Sequence, residues 1–582
     1  MKKILTFCTI IACFCVSVAA QNGNFSTQNP SEPPLREMRA VWLTTISGID
    51  WPHTYAHSYE TIREQKAELC RILDQLQQAN INTILLQTRI RATTIYPSAL
   101  EPWDACLTGH AGQSPGYDPL TFAIEECHKR GMQLHAWMVA IPIGKWNGAG
   151  CKNLRNSRPN LVKKIGDEGF INPDESGAAD YLAALCRDVV SRYDIDGIHL
   201  DYIRYPDQWK NIRNKQQARD NITRIVRSIH SDVKRLKPWV MVSSSPVGKY
   251  ADTRRASSHG WNARDIVCQD VAQWMNEGLM DAIFPMMYFR DNNFYPFAID
   301  WQERSRGTIV APGLGIYIMH PREGNWSLAD ITRELFVTRQ YGMGNCMFRS
   351  KFFTDNTKGI YTFYKNTFAP LPSLRPAMSS YSYLRPSSPT ALKVSFKADG
   401  EASLTWNYSK PINLVNQHDS HDGYTFNIYG SDTYPVDTRK ASNLLAADYH
   451  NNALTIPHPG HVVYYAVTAT DRYGNESAPV QSYSQSGHSP APQSHKKGRT
   501  PLKVSDNRII LNSNDAPAGS HVIVSNMFGK RVMTLVANRY KDNTTYVNVS
   551  LLKAGHYQLH LQTKKKKYKH HLGIFSIPPK TK

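Results

Sequence analysis

The sequence predicts an α/β chain, a (β/α)8 TIM barrel followed by two small β-sandwich domains. Three observations lead there. Between Met38 and Phe368, eight apolar segments rich in β-branched residues alternate with helical patterns. From Thr390 the pattern turns all-β, with no helical periodicity. Stretches rich in Pro and Ser, at Pro370–Pro389 and Tyr483–Thr500, separate three blocks that we place at residues 37–368, 390–482 and 501–582.

The strands are expected at Met38–Ile46, Asn82–Ile90, Gln133–Ala140, Gly197–Tyr205, Val240–Val247, Ala282–Phe289, Ile309–Tyr317 and Asn345–Phe352. Near-continuous apolar runs suit strands covered on both faces. Between them, Ile222, Ile225, Val226, Ile229, Val233 and Leu236 share one helical face, as do Leu182, Leu185, Val189, Val190 and Tyr193. An open doubly wound sheet is the competing architecture, but the first strand is followed by Thr44-Thr45-Ile46-Ser47-Gly48, which is not its Gly-rich turn.

The formal net charge is +20, yet residues 496–582 hold 17 Lys/Arg against 3 Asp/Glu. The basic excess therefore belongs to the last block and its run Lys564–Lys567, and the rest is nearly neutral. No aromatic and basic interleaving of a nucleic-acid platform is present, so nucleic-acid binding is not expected. Lys2-Lys3, the apolar stretch Ile4–Val18 and Val18-Ala19-Ala20 form a secretory signal, residues 1–20, cut after Ala20. Ile10-Ile11-Ala12-Cys13 is a weaker lipoprotein alternative. Seven cysteines remain after the signal, with no CxxC pair and no zinc spacing, so neither metal nor cofactor is expected. Cys70, Cys127 and Cys186 read as core thiols, and Cys106 and Cys151 as a candidate pair.

Chemistry in such a barrel sits at the C-terminal strand ends. Those ends carry Trp42 and Asp50, then Arg89, Tyr96, Glu101 and Trp103, then His135 and Trp137, then Asp196 through Pro206, then Ser243-Ser244-Ser245, then Tyr288 and Asp291. Aromatics alternating with carboxylates around one rim suit a sugar, whose C–H faces stack on rings while acids bind hydroxyls or move protons. Strand alternation puts His199, Asp201, Ile203 and Tyr205 on one face. Asp201 is the main catalytic candidate. Its partner is expected to be Asp291, with Glu101 and then Asp50 behind it. Trp42, Trp103, Trp137, Tyr202 and Tyr288 are candidate stacking surfaces, and Arg89, Tyr96, His135, His199 and Tyr205 candidate binding groups.

These residues carry a resemblance. Arg39-Ala40-Val41-Trp42, Ile49-Asp50-Trp51-Pro52, Gln87-Thr88-Arg89, Tyr96-Pro97-Ser98, Glu101-Pro102-Trp103, Leu107-Thr108-Gly109, Gly116 through Leu120, Leu134-His135-Ala136-Trp137, Asp196 through Pro206, Lys237-Pro238-Trp239 and Ser245-Pro246 occur in order. Together they resemble the glycosyl-hydrolase-like family ten. The resemblance implies a glycosidase-type barrel and cleavage of a glycan, with peptidoglycan glycan strands as an associated substrate. The chain departs from the family pattern at Tyr202, Val139 and Met286, where Asp, Asn and Gln are frequent.

The block at 390–482, with Trp406, the Tyr-rich strand Tyr464–Ala469 and the turn Asp471–Ser477, resembles a fibronectin type III module. The last block, with Asn526…Gly529 and Leu552-x-x-Gly555-x-Tyr557, resembles a type nine secretion sorting domain, which implies secretion machinery as a partner. The expected function is an exported glycoside hydrolase of the cell envelope, surface or medium. The alternative is a non-catalytic glycan-binding protein on the same fold.

Overall fold

The computed structural model describes residues 33–582 except 211, 257–259, 379–384, 398–399, 410–422, 459–461, 463, 483–501, 503, 506, 513–514, 527–530, 541–543, 554, 563–568 and 578–582. The signal segment and the run Lys564–Lys567 lie outside the described residues. The chain divides into two compact units, Met1–Tyr483 and Ser484–Lys582.

The first unit holds the barrel strands β1 (Arg39–Leu43), β2 (Thr83–Ile90), β3 (Gln133–Val139), β4 (Gly197–Asp201) and β5 (Met241–Ser244). β6 comes in two halves, Ala282–Ile283 and Met286–Met287, as does β7, Ile309–Val310 and Gly313–Leu314; β8 is Asn345–Met347. Pro285 and Pro312 stand at the two breaks, because a proline has no N–H for the ladder. Their carbonyls still accept, Pro285 from Gly313 N–H at 2.8 Å and Pro312 from Cys346 N–H at 3.0 Å. The lower half of β6 pairs with β5 and β7, its upper half with β7, the upper half of β7 with β8, and β8 with β1, all in parallel. The circuit of eight strands is thereby closed.

Helices α1 (Tyr59–Gln78), α2 (Pro119–Lys129), α3 (Ala149–Ser157), α4 (Gly177–Arg192), α5 (Lys215–Leu236), α6 (Val271–Asn276), α7 (Tyr295–Arg304) and α8 (Leu328–Gln340) occupy the crossovers. Side-chain caps start several of them. Ser58 and Ser327 form capping boxes with Thr61 and Asp330, and Asp118 precedes Pro119 and accepts from Leu120 and Thr121 N–H. The apolar face predicted for α5 is buried at Ile222, Ile225, Val226, Ile229 and Val233. One core lies between strands and helices, and a second fills the barrel interior with Met38, Ala40, Trp42, Leu85, Trp137, Met241, Phe284 and Cys346. All seven cysteines after the signal are free thiols, so Cys106 and Cys151 are two separate buried groups and not a bridge.

At the N-terminal end of the barrel, a buried ion cluster ties β1 to α8. Glu37 accepts from Arg39 Nε at 2.6 Å and from Arg339 Nε and Nη2, both at 2.8 Å. Arg339 also donates to Phe368 O, and Arg39 to Leu371 O. The segment expected to be a linker begins on this base. Leu374 N–H donates to Leu35 O at 2.8 Å, and Met378 is buried within the interior core. Two apolar side chains four residues apart anchor a stretch whose Pro and Ser content suggested a free tether.

Beyond it, strands Thr390–Phe396, Glu401–Asn407 and Ala453–Pro457 form one antiparallel sheet, and Leu444–Tyr449, Thr425–Ser431, Tyr464–Thr470 and Val480–Gln481 a second. This module is docked on the barrel. Arg472 pairs with Asp194 at 2.6 Å, Arg36 with Glu476 at 3.1 Å, and the rings of His128 and His450 stack at 5.0 Å. In the second unit, two four-stranded antiparallel sheets enclose Ile509, Val522, Val524, Val547, Leu559 and Phe575.

Glu37→Ala leaves two buried guanidinium groups without their counter-charge, and should cost about 3–5 kcal/mol. Urea unfolding followed by tryptophan fluorescence reads that loss, and an unchanged midpoint would contradict the role given to the cluster.

Candidate active site at the barrel mouth

The interior is built in layers. Trp42 on β1 reaches across the barrel, and its Nε1–H donates to His199 Nε2 at 3.1 Å. Indole N–H is only a donor, so His199 accepts at Nε2 and its Nδ1–H donates to Ser243 Oγ at 3.0 Å. This network makes His199 a neutral imidazole. Burial, and then His135, hold its pKa well below the ordinary value. Phe284 and Phe348 pack on Trp42 at 6.1 and 5.7 Å between ring centroids.

Asp201 ends β4, one layer above His199 and 5% exposed. Its carboxylate accepts from Trp137 Nε1–H at 3.0 Å, Ser245 Oγ–H at 2.8 Å and Tyr202 N–H at 2.8 Å. Burial raises its pKa, and these three donors and the more distant charge of Arg204 only partly offset that rise. The carboxyl is thus oriented yet inclined to keep a proton. Burial, and then the ionised form of Asp201, raise the pKa of half-buried Tyr288.

Strand alternation stops at Asp201. Tyr202 has φ +49, which turns the chain, so Ile203 and Tyr205 leave the inner face that alternation assigned them. Tyr205 is 1% exposed and donates to Asp174 Oδ1 at 2.5 Å, so it packs the wall and does not line the mouth. Tyr202 itself is 38% exposed beside Asp201.

The remaining sequence candidates separate by their partners. Both Glu101 oxygens are taken, by Arg89 Nε at 2.7 Å and Nη2 at 2.5 Å and by Tyr181 Oη–H at 2.8 Å. Arg89 continues to Ala140 O at 3.0 Å, so this pair is a buried strut between β2 and β3. Asp50 accepts from Thr44 N–H at 3.0 Å and pairs with Arg349. Asp291 lies in a short turn after β6 with its side chain 72% exposed and Arg333 4.0 Å away. Tyr96 is fully buried against Tyr193, and Trp103 packs half-buried on the outer core. Trp42 and Trp137 are buried as floor and donor, so neither offers an open ring face. His135 sits opposite Gly197, four residues below Asp201, with no partner for either ring nitrogen among the described residues. Burial draws its pKa down to about 4.

Asp207 and Trp261 were not among the sequence candidates, and Ser245 and Arg204, within strand-end stretches the sequence analysis named, were given no role there. Ser245 could have been found as the last inward position of its strand. Trp261 lies in the 248–270 loop, where no periodicity points to it.

Residues 37–218 and 207–320 match the family described as glycosyl hydrolase-like 10, and residues 505–574 match a secretion system C-terminal sorting domain. The chain is 28% identical over 485 residues to the glycosyl hydrolase YngK of Bacillus subtilis (strain 168), covering 76% of this chain and 92% of that protein. It is 28% identical over 330 residues to the glycosyl hydrolase DigH of Escherichia coli (strain K12), covering 49% and 74%. Among solved structures, the PgaB (BpsB) glycoside hydrolase domain from Bordetella bronchiseptica aligns with a TM-score of 0.38 at 10% identity, over 59% of this chain and 100% of that one.

Ser245→Ala removes a donor to the ionised form of Asp201. Its titration, followed by carboxyl carbon NMR, should move about one pH unit upward. A downward move would show that the hydroxyl does not favour the carboxylate.

Proposed function

We propose, from the match of residues 37–320 to the glycosyl hydrolase-like 10 family, that the chain is an exported glycoside hydrolase with Asp201 as its general acid. The observation that carries this reading is the buried Asp201 carboxyl at the C-terminal end of β4, held by three neutral donors. In O-glycosyl hydrolysis the proton moves from the carboxyl to the leaving oxygen as the C–O bond breaks, and water supplies the new hydroxyl. A raised pKa keeps that proton available. Asp291 is the partner we propose for handling the attacking water. Of the three acids the sequence offered, Glu101 and Asp50 are held in buried ion pairs, while Asp291 stays open to solvent.

The substrate class that the family resemblance implies, peptidoglycan glycan strands, completes the proposal. The two-sheet module at 390–482 is read as a fibronectin type III-like spacer that braces the barrel base. The C-terminal domain marks the chain for export and, in this reading, delivers it to the surface or medium through secretion machinery. The occupation of Glu101 and Asp50 by ion pairs also favours a second reading, a barrel that binds glycan without cleaving it.

The deciding experiment uses purified glycan strands. Asp201→Asn should lower turnover about 10²-fold or more with little change in thermal midpoint. Strands bound but left uncut by the wild type would select the second reading, and full turnover by the variant would remove Asp201 from the chemistry. Turnover by the wild type should also fall as pH rises through the raised pKa of Asp201, since the acid must carry its proton. Deleting the residues after Ser494 should leave hydrolysis intact and change where the cell places the protein. Cell fractionation checks this, and lost hydrolysis at an unchanged location would contradict it.

A further inference from the structure

Next to Asp201 the rim carries an array that the hydrolytic reading does not use. The Arg204 side chain is 2% exposed, and its guanidinium lies 4.5 Å from the Tyr202 ring centre and 5.5 Å from that of Trp261. Arg204 Nη1 donates to both Asp207 oxygens at 3.3 Å, and Trp261 Nε1–H donates to Asp207 Oδ1 at 2.8 Å. Cation–π attraction and these bonds fix the two rings from behind. Their outer surfaces remain open, with Tyr202 38% and Trp261 42% exposed.

Large aromatic side chains held still and left in water gain nothing for folding from their open surfaces. A ligand with apolar faces covers such surfaces, and the C–H faces of a sugar ring fit them. The position sets the order of the contacts. Tyr202 follows Asp201 directly and bonds its carboxylate through N–H, so a ring on Tyr202 belongs to a sugar at the bond to be cleaved. Trp261 packs on the same Arg204 guanidinium, with its ring centre 5.5 Å away, and so extends the aromatic surface from Tyr202.

We infer that Tyr202 and Trp261, joined through Arg204 and Asp207, form a run of stacking subsites that reads a glycan chain over more than one sugar on one side of Asp201. Trp261 is the specificity-determining residue for chain length. The inference rests on the glycoside hydrolase reading and deepens it, because it makes an extended strand, not a single terminal sugar, the preferred substrate.

The test uses peptide-free peptidoglycan glycan strands fractionated by length. For the wild type, kcat/KM should rise with length until the outer subsite is filled. Trp261→Ala should lose about tenfold in kcat/KM on long strands, mostly through KM, and match the wild type on the shortest strand it cleaves. Trp261→Phe keeps a ring but loses the bond to Asp207, and should restore most of the length dependence. It also serves should the alanine variant fold poorly. An unchanged length dependence in Trp261→Ala, or an equal loss at all lengths, would overturn the inference while leaving the hydrolytic reading standing. Absence of both wild-type turnover and binding by Asp201→Asn would overturn the reading itself, and the subsites with it.

Discussion

The hydrogen bond from Trp42 to His199 across the barrel interior is the contact on which the mouth depends. It joins β1 to β4, and it fills the layer directly beneath Asp201 with an indole, a neutral imidazole and the rings of Phe284 and Phe348. Gly313 on β7 permits this filling, since a Cβ there would stand 2.7 Å from the Trp42 ring. Burial of a carboxyl removes solvation from its ionised form, which is the main cause of the raised Asp201 pKa.

The opposite end of the barrel is built to hold. Glu37, against the cost of burial, is kept below its ordinary pKa by Arg39 and Arg339. Met378 enters the interior core from the segment that leads to the docked module. Along that contact, burial opposes but Asp196 and Asp194 raise the pKa of His128, while burial opposes but His128 lowers that of Asp196. The His128 contribution is complete below the ordinary histidine pKa and is lost as pH rises through the raised value. The Asp196 contribution is complete above the ordinary aspartate pKa and is lost as pH falls through the depressed one. The His128–Asp196 pair therefore adds most to folding stability between the two, across mildly acidic pH. A base built for stability follows the division usual in barrels of this kind.

The fold was legible because each barrel strand is a short apolar run with a helix of clear periodicity after it, as at Ile222–Val233. The breaks at Pro285 and Pro312 leave apolar pattern on both sides, so the sequence reads through them as single strands. Asp201 was legible as an inward carboxylate at a strand end. Tyr205 was not correctly placed, because alternation gives no sign of the positive φ at Tyr202. Nor does spacing show that Arg89 and Glu101, twelve positions apart, are bonded to each other. Trp261 is placed by a loop, and loop geometry carries no periodic signal to read.

The buried acids of the barrel differ in the charge of their partners. Glu101 and Asp50 each pair with a guanidinium, which fixes the carboxylate as a strut. Glu334 on α8 shows the opposite case. Burial raises its pKa strongly, but among the described residues neither oxygen has a hydrogen-bond partner, so nothing aims it. Asp201 combines what these acids have separately. An indole, a hydroxyl and a peptide N–H orient it, and none of them carries a charge that would bind the proton state to one value. These neutral donors fix its direction and lower its pKa by less than burial raises it.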